Sequence, residues 1–148
     1  MYERQELMYR LKDVLEALER IPRRSESIHS PDDFLVDETG LEHLDSICMI
    51  LVAVGEAFRQ VDVKTKGEWL SRYPQIPWRD VIGVRNVIAH GYFDIDAEQV
   101  FSICNEDIPE LIRTVRVMIK ELEDGAAYRL PRISLRNPRP GGALVSGG

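Results

Sequence analysis

A chain of 148 residues with 44% hydrophobic and 30% charged residues is long enough to bury one core and has the balance of a soluble globular domain. No apolar run approaches the roughly 20 residues that span a bilayer, since the stretch from Ile47 to Phe58 is short and broken by Glu56. The net charge of −6 excludes a surface coated in RNA-binding cations, and it is uneven: residues 125–148 carry Arg129, Arg132, Arg136 and Arg139 and no acid, +4 in all, which leaves residues 1–124 at −10.

The opening Met1 to Glu6 lacks the apolar core of a signal peptide, so the expected location is the cytoplasm. Leu7, Leu11, Val14, Leu18 and Ile21, with Leu15 alongside, trace a helical stripe over residues 3–20 that Pro22 is expected to end. A polar connector follows and holds His29. Ser30-Pro31-Asp32-Asp33 then reads as a helix start, with a capping hydroxyl, a proline in the first turn and two acids near the positive end of the macrodipole. Leu41, Leu44, Cys48, Leu51, Val54, Phe58 and Val61 mark the buried side of the long helix behind it, and Gly40 is expected to break off a leading segment at 31–38. Gly55, on the same side, would let another helix approach closely. Glu56 reads as a solvated or capping acid, with a site role as the alternative.

Thr65 and Glu68 have the spacing of a capping box, so residues 66–72 are expected to form a short helix anchored by Trp69 and closed by Pro74. Residues 77–90 read as one bounded helix, because Pro77 suits a first turn and Gly91 can stop a helix in the left-handed conformation. Val81, Val84, Ile88 and Trp78, Ile82, Ala89 give it a wide apolar face for other helices. Tyr92 to Ile95 is a loop. Asp96 with Gln99 opens the last helix, which runs to Gly125 and must kink or break at Pro109, with Asp107 and Glu110 able to restart it.

No alternating strand pattern appears. The expected fold is all-α: an up-down four-helix bundle with one or two extra short helices over residues 1–125. Residues 126–148 form a basic Pro/Gly/Arg-rich tail without a core of its own, either a plain terminus or an arm over RNA or a partner. Cys48 and Cys104 fall in apolar helical patterns and read as small buried hydrophobes. With His29, His43 and His90 scattered, no metal or other cofactor is implied.

The polar residues of the 77–90 helix carry the chemistry. On an ideal helix Arg85 and His90 lie about 140° apart, while Asn86 and His90 are only about 40° apart. Asn86 can therefore touch the imidazole, whereas Arg85 and His90 could serve one phosphate only through a frayed last turn or a second copy of the helix. A second Arg-x4-His, at Arg24 and His29, lies in a stretch without helical periodicity and reads as coincidence.

The pattern Trp78-Arg79, Gly83, Arg85-Asn86, His90 and Tyr92, in the form Arg-Asn-x3-His-x-Tyr, resembles the HepT-like toxins of the HEPN superfamily. The resemblance covers residues 3–124, including Gly55-Glu56-Ala57 and the run from Asn105 to Leu111. It implies a small all-helical dimeric ribonuclease from a prokaryotic toxin–antitoxin module. It also implies a minimal nucleotidyltransferase antitoxin as partner, one that transfers AMP units to the tyrosine at the position of Tyr92.

Metal-free RNA cleavage needs a base for the 2′-hydroxyl proton, an acid for the leaving 5′-oxygen and cationic donors around the phosphorus. His90 can act as acid or base, Arg85 can offer paired N–H donors, and Asn86 can hold the imidazole tautomer or touch the phosphate. Arg79 is a further candidate RNA contact. One chain supplies too few groups, so a symmetric dimer with a composite site is expected, giving a 2′,3′-cyclic phosphate or 3′-phosphate and a 5′-hydroxyl. AMP units on Tyr92 would set negative charge where RNA phosphate should lie. The plainer alternatives are His90 as a helix-dipole partner, Arg85 paired with Asp80 or Asp94, and Tyr92 with Phe93 as a lid on the core. At the level of function the alternative is a non-catalytic HEPN-like adapter that binds a nucleotidyltransferase or its nucleotide.

Overall fold

The computed structural model describes residues 4–125, so the expectations for the tail at 126–148 lie outside the described residues. Among the described residues there is no strand. Five α-helices carry the fold: α1 (Arg4–Arg24), α2 (Glu38–Lys64), α3 (Trp78–His90), α4 (Ala97–Ser102) and α5 (Ile108–Glu123). A π-helical turn, Ile103–Asp107, fuses α4 to α5, so four main helical rods result, as the apolar periodicities predict. Short 3-10 turns stand at Pro31–Phe34, Leu70–Arg72 and Tyr92–Asp94.

The predicted stripe of α1 is its buried face, with Leu7, Leu11, Leu18 and Ile21 fully enclosed against α2 and α5. Arg4 closes the far end by donating to the carbonyls of Leu122 and Glu123, which the end of α5 leaves without helical partners. Tyr73, in the segment between α2 and α3, is buried and donates to Glu121 on α5. Cys48 and Cys104 are free and buried, as their patterns predict.

Several boundaries differ from expectation for identifiable reasons. Pro22 does not end α1, because it forfeits one bond near a terminus that Ser25 secures by donating both its N–H and its hydroxyl to Ile21 O. Gly40 is no break but part of the first turn of α2, where its N–H reaches the capping Asp37 at 2.8 Å. A β-carbon at Gly40 would collide with the Asp33 carbonyl, which explains the glycine. The helix expected at 66–72 is only the 3-10 turn at its end. Thr65 instead finishes α2: its hydroxyl donates to Val61 O at 2.8 Å, Lys66 and Gly67 turn left-handed, and Gly67 N–H reaches back to Asp62 O.

Gly91 ends α3 without the left-handed conformation; its φ is −134°, and a β-carbon there would lie 3.1 Å from Val87 O. Pro109 is absorbed by the π-helical turn, in which Ile108 N–H spans five residues back to Ile103 O. The Asn105 amide donates to Phe101 O at 2.9 Å within that turn, and Asp107 makes no side-chain cap.

Candidate active site

The site begins with a glycine. A β-carbon at Gly55 would sit 3.0 Å from Val81 O and 3.4 Å from the Arg85 β-carbon, so α2 and α3 cross at backbone contact there. Phe58 and Trp78 meet one turn along with their ring centres 4.8 Å apart and their planes tilted by 52°, and Trp78 Nε1–H donates to Tyr73 O. At the other end Asp45 on α2 meets Tyr92 beyond α3, so the two helices run antiparallel.

That crossing sets Glu56 beside Arg85. Arg85 Nε lies 2.9 Å from Glu56 Oε1, so the arginine pairs with neither Asp80 nor Asp94. Arg59 and Gln60, three and four residues along α2, also donate to the Glu56 carboxylate. The hydrogen bonds from Arg59 and then Gln60 hold it well below the usual carboxylate range, at about 2. Arg85 Nη1–H donates to Asn86 Oδ1 at 3.1 Å, so the Asn86 amide oxygen faces the guanidinium. The structure thus brings Arg85 and Asn86 together.

His90 is the exposed last residue of α3, and Arg79 is exposed in its first turn. Arg79, Gly83, Asn86 and His90 follow one another at four- and three-residue steps, which places them along one ridge of the helix. Tyr92, 47% exposed, donates its hydroxyl to Asp45 Oδ1 at 2.7 Å, and that bond raises the phenol above its ordinary range. Phe93 packs edge-on against Tyr92 but is itself 95% exposed, so the pair does not form a core lid.

The wide apolar face expected for α3 is only partly covered. Ile88 alone among its residues is buried; Val87 is 63% exposed, and a β-carbon at Gly83 would meet nothing within 4 Å. An open cleft of about 950 Å³ separates this flank from α4, the π-helical turn and α5, with Val81, Val84 and Val87 on one wall and Ile103 and Leu111 on the other. Among the described residues no cluster of three or more His, Cys, Asp or Glu could hold a metal ion. The Cys48 and Cys104 thiols are pushed up to about 11 and about 12, chiefly by burial, and are poor nucleophiles.

A family model, ribonuclease HepT-like, matches residues 14–118. The chain belongs to the HepT-like ribonuclease family. The matched span runs from α1 into α5, so the whole α2–α3 surface is HepT-like, with Glu56, Arg85 and Tyr92 inside it. A relative named "Probable ribonuclease HepT", from Thermococcus cleftensis, is 30% identical over 101 residues, covering 68% of this chain and 84% of its own. A second, "Putative RNase MJ1380" from Methanocaldococcus jannaschii, is 29% identical over 73 residues, 49% of this chain and 63% of that protein, so the alignment spans less than two thirds of it. No solved structure matches significantly.

Glu56 was legible as a candidate beside Gly55, whereas Asp45 carried no local signal, because its partner Tyr92 lies 47 residues away.

Proposed function

We propose that this HepT-like protein is a metal-independent endoribonuclease whose active site is completed by a second copy of the chain. The observation that carries this reading is the state of Arg85: an ion pair to Glu56 at 2.9 Å and one Nη1–H bond to Asn86 hold a guanidinium that is still 41% exposed and has further N–H groups for a phosphate. His90 of one copy removes the proton from the 2′-hydroxyl, the oxygen attacks phosphorus, and the 5′-oxygen leaves with a proton from the second His90. Arg85 stabilises the charge that develops on the phosphoryl oxygens. Asn86 and Arg79, on the His90 ridge, lie along the path of the RNA backbone.

The uncovered flank of α3 supports the dimer. A glycine inside a helix costs about 1 kcal/mol relative to alanine, and at Gly83 nothing within the described chain explains it. A close approach by a second α3 does. In the full reading the protein is the toxin of a toxin–antitoxin pair in the cytoplasm, neutralised by a nucleotidyltransferase that transfers AMP to Tyr92. The exposure of Tyr92 suits such a target, and a phosphodiester on it would repel RNA.

The test is RNA cleavage by the purified protein in excess EDTA, with His90→Ala beside it. Cleavage leaving 5′-hydroxyl ends, reduced 100-fold or more in the variant, is the expected outcome. Failure of a folded, unmodified wild-type protein to cut varied RNAs would favour the second reading, a non-catalytic adapter for a nucleotidyltransferase. The −10 charge of residues 1–124 speaks for that role.

A further inference from the structure

We propose that Phe93 is a platform for a nucleobase: its ring stacks on the base of the nucleotide whose 2′-hydroxyl His90 deprotonates, and so holds that nucleotide in place for attack. The proposal rests on the ribonuclease reading and adds to it a contact with the base. A single apolar side chain at the surface needs no explanation by itself. This one is held in place. Phe93 is the middle residue of the 3-10 turn Tyr92–Asp94, which the Asp94 N–H closes by donating to Gly91 O at 2.9 Å. Its ring meets that of Tyr92 at 73°, with the centroids 5.4 Å apart, and the Tyr92 hydroxyl is tied to Asp45 on α2 at 2.7 Å. The Phe93 ring is thus braced through Tyr92 against α2, yet 95% of the residue is exposed.

Position and charge select a base as the occupant. Phe93 follows His90 by three residues, so their Cα atoms lie no more than about 11 Å apart, within the span of one nucleotide. Residues 86–112 hold no Lys or Arg and six acids, of which Asp94 belongs to the turn itself and Asp96 follows it closely. This flank repels phosphate, so RNA beside His90 has to be gripped there through an uncharged group. A base offers one, because every base has a face that stacks on an aromatic ring. Stacking also supplies affinity that residues 1–124, at −10, draw only weakly from cations.

The experiment compares wild type with Phe93→Ala, Phe93→Leu and Phe93→Trp on one single-stranded RNA whose cleavage site has been mapped. The side chain is exposed, so all four thermal midpoints should agree. Ala and Leu should lower kcat/KM by about 10-fold or more, the loss of one base–aromatic stack, while Trp keeps it near wild type. Removing the base from the nucleotide 5′ of the cut should cost wild type as much and add nothing to the loss in Phe93→Ala. In His90→Ala, which holds RNA uncut, 2-aminopurine at that nucleotide should be quenched on binding, and adding Phe93→Ala should abolish the quenching. An unchanged kcat/KM in Phe93→Ala overturns the proposal, and so does Phe93→Leu matching wild type. A loss of activity that accompanies dissociation to monomers in sedimentation velocity also overturns it, by making Phe93 a contact between copies. If wild type cuts no RNA, the ribonuclease reading fails, and quenching of 2-aminopurine in bound single-stranded RNA decides the platform separately: quenching lost in Phe93→Ala supports it, and quenching absent or unchanged overturns it.

Discussion

At Gly55 the backbone of α3 leaves no room for a β-carbon, whereas at Gly83 the same atom would point into open space. Gly55→Ala should therefore lower stability by about 1–3 kcal/mol, because the crossing must open. Gly83→Ala should raise it by about 0.5–1 kcal/mol in dilute protein and, with a second copy docked on α3, weaken self-association. Urea titration checks the first pair of numbers and sedimentation velocity the second. Glu56 adds a dependence on pH. Its folded value, about 2, lies below the ordinary 4.5, so its contribution is complete above about 4.5 and is lost as pH falls through about 2. Between pH 5 and 9 the Glu56 carboxylate therefore stays ionised, and its contribution does not vary. Gly55 was legible from apolar spacing because the signal is local. The partners of Arg85 and Tyr92 were not, since both lie across a helix crossing that no local spacing encodes.

Among the elements, cores were easier to read than ends. Apolar periodicity located α1, α2, α3 and the α4–α5 rod, but the cap of α2 was placed too early. Ser30 has the right chemistry yet makes no side-chain cap, while Asp37 accepts the Gly40 N–H at 2.8 Å. Asp37→Ala should cost about 1 kcal/mol and Ser30→Ala less than about 0.5 kcal/mol, as judged by the urea midpoint at constant slope. Thr65 shows why such errors arise. A hydroxyl three residues before a glutamate can open a helix, but the same hydroxyl donating backwards to Val61 O closes one, and the difference lies in backbone dihedrals set by Lys66 and Gly67. Pro109 was correctly read as an obstacle, and its resolution as a π-helical turn depended on how α4 and α5 pack as one rod.

For the whole molecule, the all-α class and the HepT-like family were legible, because helical periodicity and the Arg-Asn-x3-His-x-Tyr pattern are both short-range. The open flank of α3 was not, since periodicity announces an apolar face without saying what covers it. The joint between α2 and α3 also has an optical consequence. The chain has two tryptophans, and both sit at this joint: Trp69 is fully buried with Nε1 unpartnered, and Trp78 packs at a tilt against Phe58. Selectively excited tryptophan fluorescence thus reports on this corner, while far-UV circular dichroism sums over every helix. Coincident urea transitions by the two signals are expected if the joint shares the single core. An earlier fluorescence transition would mark the helix bearing Arg85 and His90 as the first to detach, and would give a label-free way to watch it leave.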